Sequence, residues 1–396
     1  MRSKISNSFL LLLLLPGFAE MINNEYTIVI PGFPLSLGRS LFIIAGFISI
    51  TIFGSYGIRT RTFIGLTLVF LGSLTGVLFS NFRQFESFSR TIALFLLLFA
   101  SLGLSHLWNI LYFRRALFVG FIIIFLYWTS ITVNHVFSGS KLTSYGELYS
   151  YGTVVNHHVV GLIVSVSAIF MALYLFLKSG KLKISGFIVI FMGILVSFLA
   201  ESRSTTIIPF FVLFIILISS YKVRKLSIIL FATFVISVGY ILTGFMDQNE
   251  RTYQRFDVKD LDYQKRTTDY RWAYVDLGIR EFIANPLGKG IRDTQVIHKG
   301  RTTMIHNQYM TWLLSGGILA AIGIFVWLSA AFRRLIKILY KKQLSMDSFV
   351  SASYFSVMIF QITLLTIEWV DLLFFVIVSL SIYLDKQQRV RLRNGV

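Results

Sequence analysis

The sequence contains no cysteine, which excludes disulfides, thiolate catalysis and cysteine-held metal. Charge is also scarce. Asp, Glu, Lys and Arg make up 14% of the 396 residues, against roughly 25% in a soluble domain. The charge present is lopsided, 37 basic against 18 acidic residues, for a net +19. In a soluble protein that excess would suggest nucleic acid, but no basic, aromatic-interleaved soluble domain exists to bind it. No internal repeat, low-complexity tract or soluble nucleotide-binding domain is visible. A secondary transporter, which usually carries inverted repeats and broken helices at mid-bilayer, is therefore a minor alternative. A channel is disfavoured too, for want of a filter sequence or rings of charge.

What the sequence has in abundance is apolar length. Hydrophobic residues make up 55% of the chain, and Leu117–Val133 runs without any charge. About 20 apolar residues cross the hydrocarbon core. Many such runs cannot all hide in one soluble core, so the expected fold class is all-α, a polytopic integral membrane protein. Twelve spans are expected, beginning near Asn7, Leu37, Thr62, Ser89, Leu117, His157, Leu182, Ser204, Lys225, His306, Val350 and Asp371. Arg2 and Lys4 before Phe9–Pro16 resemble a signal peptide, but a first membrane helix from Asn7 to Ile22 is the preferred reading.

The basic residues test this layout, because they concentrate in cytoplasmic loops. With the N-terminus inside, Arg59, Arg61, Arg114, Arg115, Lys178, Lys181, Lys183, Lys222, Arg224, Lys225, Arg333, Arg334 and Lys337 fall on the inner side. The short outer loops and span ends keep only Arg39, Arg83, Arg90, Lys141 and Arg203. Both termini are then cytoplasmic. The expected organisation is one membrane domain, residues 1–396, with a long outer loop at 244–305 inside it. Long translocated loops escape the charge rule. A second outer loop, 134–156, is rich in Ser, Gly and Tyr.

The long loop is patterned. Thr267 or Thr268 is placed to cap a helix, with Asp269 favouring its dipole. Trp272, Val275, Ile279 and Phe282 recur at helical spacing. Pro286 and Gly288 end the segment, which predicts an amphipathic helix over Asp269–Ala284 lying against the membrane face.

Several polar residues sit where chemistry is plausible. Arg203, in Glu201-Ser202-Arg203-Ser204, lies between two apolar runs with almost no loop. A cation there is costly and marks either a functional site or an arginine snorkelling beside Glu201. Arg266 and Arg271 flank the start of the loop helix. Arginine binds phosphate through a planar fork, although solvated surface charge is the commoner use. His306 opens a span as His306-Asn307-Gln308-Tyr309. A helix N-terminus disfavours imidazolium, and a neutral ring accepts a proton from a hydroxyl; a capping or interfacial histidine is the competing reading. His157 and His158 open another span, and His298 lies in the loop. Asp260-Leu261-Asp262, near Asp257, fits a three-residue metal-binding pattern, but a solvated acidic loop explains it better. Glu368 and Asp371 flank Trp369 at the last outer turn, placed either to pair with loop arginines, to line a site or to form an ordinary acidic turn.

Together these residues resemble the O-antigen ligase superfamily, which includes O-antigen and capsule polymerases. Ser202-Arg203-Ser204 begins a span after a tight outer turn. Tyr270-Arg271-Trp272 through Asn285-Pro286-Leu287-Gly288-Lys289-Gly290 is similar to the family's loop helix and its N-P-x-x-G-x-G ending, one residue shorter here. His306-Asn307 is followed by Gly317-Ile318-Leu319-Ala320, where the family usually has Gly, Thr or Tyr in place of Ala320. The resemblance implies an undecaprenyl diphosphate-linked glycan donor at the periplasmic face of the bacterial inner membrane. It implies transfer to a sugar hydroxyl without metal, nucleotide or other cofactor. The acceptor is lipid A–core in ligases, the favoured reading, and another lipid-linked glycan in polymerases. It assigns His306 as base and Arg203, Arg271 and Arg266 to the diphosphate, with Asn307, His158, Glu368 and Asp371 supporting.

Overall fold

The computed structural model describes residues 13–17, 19–20, 35–54, 58–80, 84–138, 147–150, 153–177, 182–200, 205–206, 208–213, 261–292, 294–298, 301–305, 307–341 and 371–393. The helices are α1 (Leu37–Phe53), α2 (Arg61–Leu78), α3 (Gln84–Leu104), α4 (Leu111–Phe137), α5 (His157–Leu177), α6 (Leu182–Leu199), α7 (Leu261–Ala284), α8 (Gln308–Lys341) and α9 (Asp371–Arg393). Two antiparallel hairpins interrupt them: β1 (Glu147–Ser150) with β2 (Thr153–Asn156), and β3 (Gln295–His298) with β4 (Arg301–Met304).

Among the described residues, α2, α3, α4, α5 and α8 each contain a stretch long and apolar enough to cross a membrane. Most helices begin near their expected starts. α3 and α4 begin five and six residues early, because the charged residues ahead of each apolar run, Glu86 in α3 and Arg114 and Arg115 in α4, belong to the helix. Glu86 sits in the first turn of α3, where the dipole favours an acid. The spans expected from Lys225 and Val350 lie outside the described residues.

The chain divides into two compact units. The first comprises Met1–Leu117, Arg271–Arg333 and Gln361–Val396. Small residues let its helices approach closely, the mode of packing that replaces the hydrophobic effect in lipid. A Cβ on Gly46 of α1 would meet Ala100 of α3, and one on Gly103 would meet Gly46. On α2, Gly65 lies against Gly323 of α8 and Gly72 against Gly316. Trp312 and Trp327 of α8 are fully buried with ring centroids 5.2 Å apart, and Phe374 of α9 packs 6.1 Å from Trp327. At one end of this unit Thr60 caps α2, and Asp385 of α9 accepts a 2.9 Å bond from the Thr62 hydroxyl. An acid there also meets the positive end of the α2 dipole.

The second unit comprises Phe118–Tyr270 and Arg334–Phe360. Here Phe121 of α4 stacks on Phe170 of α5 at 4.5 Å. Hydroxyls tie α5 to the chain beyond it: Ser165 lies 2.7 Å from Ser197 of α6 and donates to the Thr205 carbonyl at 3.0 Å.

Candidate active site

The loop helix α7 ends at Ala284 as expected but starts at Leu261. Thr267 and Thr268 are therefore interior, not caps. Gln264, Lys265 and Arg266 are good helix formers and extend it backward. At the C-terminus the Asn285 side chain donates to the Glu281 carbonyl at 3.1 Å, and Pro286 cannot continue the helix. The expected apolar stripe divides. Val275 and Phe282, with Tyr274, pack on Val296 of β3, Ile305, and Met310 and Leu314 of α8. Ile279 stays exposed. The helix therefore rests on a hairpin and the start of α8, and a side chain on Gly278 would strike Met310 and Ile305.

The Asn285–Gly290 loop, directly after α7, fixes the site's frame by meeting a break in α8. That break is at Gly317, whose φ of 56° and ψ of −144° suit glycine alone. A break leaves carbonyls and amides without helical partners. The loop supplies them: Lys289 N–H donates to the Leu314 carbonyl at 2.9 Å and Gly290 N–H to the Ser315 carbonyl at 3.0 Å. In return the Ile318 N–H donates to the Pro286 carbonyl at 2.8 Å. Gly288 and Gly290 take positive φ of 84° and 82° to do this. The loop is also held to α3, since Arg292 N–H donates to the Ser87 hydroxyl at 3.1 Å. The N-P-L-G-K-G run, from the Pro286 carbonyl to the Gly290 amide, is thus a backbone clamp across a broken membrane helix. Ala320, one turn below, is fully buried where α8 meets Gly72 of α2. A tyrosine would not fit there.

His306 itself lies outside the described residues, but both neighbours are placed. Ile305 is buried under α7, and Asn307 caps α8, its side chain accepting from Met310 N–H at 3.0 Å. Arg271 lies on α7 about one turn before Tyr274 and Val275, which pack in that same cluster. Within the first unit, then, Tyr274 and Val275 of α7 pack on the cluster that holds Ile305 and Met310, which lie on either side of His306 in sequence. The Arg271 and Arg266 side chains lie outside the described residues, as do Arg203, Glu368, Asp257 and Asp260. Arg203 is bracketed by the end of α6 at Leu199 and helical Thr205. With Arg266 and His158 it belongs to the second unit. His158 opens α5, its ring 3.7 Å from that of His157, and its N–H donates to the Asn156 side chain at 2.9 Å.

Asp371 pairs with two arginines that the sequence placed at span ends and did not single out. It is 2% exposed and its Oδ2 lies 2.9 Å from Arg39 Nε and 3.4 Å from Arg90 Nη1. Arg39 also pairs with buried Glu20 at 2.9 Å, and Glu20 accepts from Ser36. Asp371 Oδ1 accepts the Leu372 N–H at 2.7 Å. Removing one partner of such a set leaves buried charge uncompensated, at a cost of about 3–5 kcal/mol. Asp371→Ala is therefore expected to lower the melting temperature of detergent-solubilised protein sharply. Arg90→Ala should cost less, because Arg39 still neutralises the carboxylate; equal melting curves for Asp371→Ala and the parent would refute this role.

Sequence reasoning missed both hairpins and the helix break. The available signals were Tyr151-Gly152 and Lys299-Gly300 between β-branched runs, and Ser315-Gly316-Gly317 within an apolar stretch.

Residues 187–325 match a family model described as O-antigen ligase. The matched stretch runs from α6 into α8 and includes Arg203, α7, the clamp and His306. No curated protein and no solved structure matches the chain. Over residues 187–325, about a third of its length, this chain is similar to the O-antigen ligase family.

Proposed function

We propose that the protein is a membrane glycosyltransferase that moves a glycan from undecaprenyl diphosphate to a sugar hydroxyl at the periplasmic face of the inner membrane. Its favoured activity is O-antigen ligation onto lipid A–core. The observation that carries this reading is the packing of α7, the helix that bears Arg271, on Ile305 and Met310, which flank His306 in sequence, inside the stretch that matches the family. His306 deprotonates the acceptor hydroxyl, which attacks the anomeric carbon as the bond to diphosphate breaks, with inversion. Arg203 and Arg271, with Arg266, bind the diphosphate and stabilise the negative charge that grows on it. Asn307 supports the base by capping α8 and so fixing where the chain enters it. His158 and Glu368 are kept as supporting residues, and Asp371 holds Arg39 and Arg90 in place.

A deletion strain tests this directly through its lipopolysaccharide on a silver-stained gel. Bare core in the deletion, with polymer on core restored by the wild-type gene, supports the ligase. Core carrying a single repeat unit identifies a polymerase instead, the second reading the family allows. Unchanged lipopolysaccharide would overturn both for this acceptor.

A further inference from the structure

α7 has two apolar faces, and the fold buries only one. Tyr274, Val275 and Phe282 pack on the β3–β4 hairpin and α8. Ile279 and Ile283 face away and are 45% and 70% exposed; Leu287, just past the helix, is 53% exposed. A loop helix bathed in water would carry polar residues on this face. Instead the face grows more apolar toward the C-terminus. Asp276 and Arg280, paired with each other at 2.9 Å, lie on its upper part, and Ile283, Ala284 and Leu287 come after them. At that lower end the clamp bonds Pro286 to Ile318. From Ile318 onward α8 exposes Ile318, Ile322 and Phe325 within a stretch apolar enough to cross a membrane. A seam of that kind on a membrane helix faces lipid. The exposed stripe of α7 therefore leads directly into the lipid-facing seam of α8.

We infer that the last turn of α7 and Leu287 are immersed in bilayer lipid, so that α7 is an interfacial helix anchored at its C-terminal end. The occupant of this face is membrane lipid. The Asp276–Arg280 pair sits at headgroup level, where a mutually neutralised pair costs little. The inference rests on packing and exposure alone and stands independently of the glycan-transfer reading.

The absence of cysteine makes the test clean, because a single introduced thiol carries the only label. Ile283→Cys, Leu287→Cys, Ile322→Cys and Asp276→Cys are made in the full chain. Each is tagged with a nitroxide and reconstituted into phosphatidylcholine–phosphatidylglycerol vesicles. Collision with lipid-soluble oxygen is then compared with collision with a water-soluble nickel chelate. Labels at 283 and 287 are expected to favour oxygen several-fold, as at 322, while 276 favours nickel. Nickel access at 283 and 287 equal to that at 276 would place this face in water and overturn the proposal. Low access to both reagents would overturn it too, by showing the face covered by protein or by a bound isoprenoid chain.

Discussion

Replacing His306 with alanine is expected to remove detectable glycan transfer while leaving the amount of protein in the membrane unchanged. A positioned base contributes about 10²–10⁴-fold to rate, enough to empty the polymer ladder of a lipopolysaccharide gel. The fold should survive because residue 306 precedes the cap. Asn307 still accepts from Met310 N–H, and Ile305 still packs beneath α7. Immunoblotting of the membrane fraction checks this directly. Arg203→Ala and Arg271→Ala should show the same phenotype. Arg271→Lys should recover only part of the activity, since a lysine keeps the charge and loses the two-pronged grip on phosphate. A His306→Ala protein that restores a full ladder would sink the base assignment. It would leave the likeness to the O-antigen ligase family untouched, because that rests on the match to residues 187–325.

Gly317→Ala is expected to be the most damaging single substitution outside the proposed catalytic set. Its φ of 56° with ψ of −144° is a glycine-only conformation, costing about 1–3 kcal/mol for any other residue. The added Cβ would also collide with backbone, at the Pro286 carbonyl oxygen, Leu287 and Gly288. Backbone cannot swing aside as a long side chain can, so the clamp must open and release both helix ends it satisfies. The solubilised variant should melt well below the parent and lose transfer activity together with stability. Ile322→Ala, on the exposed side of the same helix, is the matched control and should change little. Gly288→Ala attacks the clamp from the other side, against Ser315 and Gly316. If loop and break form one unit, the double variant should cost less than the two single effects added. Additive costs would show that the loop and the break are independent.

The sequence by itself determined the solvent. Scarce charge and long apolar runs left the bilayer as the only medium, and the apolar pattern set most helix starts to within a few residues. It determined where α7 ends, because Pro286 must stop it. It also set the order Arg203, α7, His306, which the family match spans. The tertiary structure decided which face of α7 is buried. Helical spacing groups Val275, Ile279 and Phe282 on one stripe, but contact with β3, Ile305, Met310 and Leu314 selects Val275 and Phe282 and turns Ile279 outward. It decided the partner of Asp371, since Arg39 is 332 positions away in sequence and no local pattern joins them. It also decided that Ser315-Gly316-Gly317 is a break, although it stands inside an apolar run that reads as continuous helix. The reason is common to all three. Periodicity reports what a segment offers, whereas burial, ion pairing and the satisfaction of backbone amides depend on which distant segment arrives to meet it.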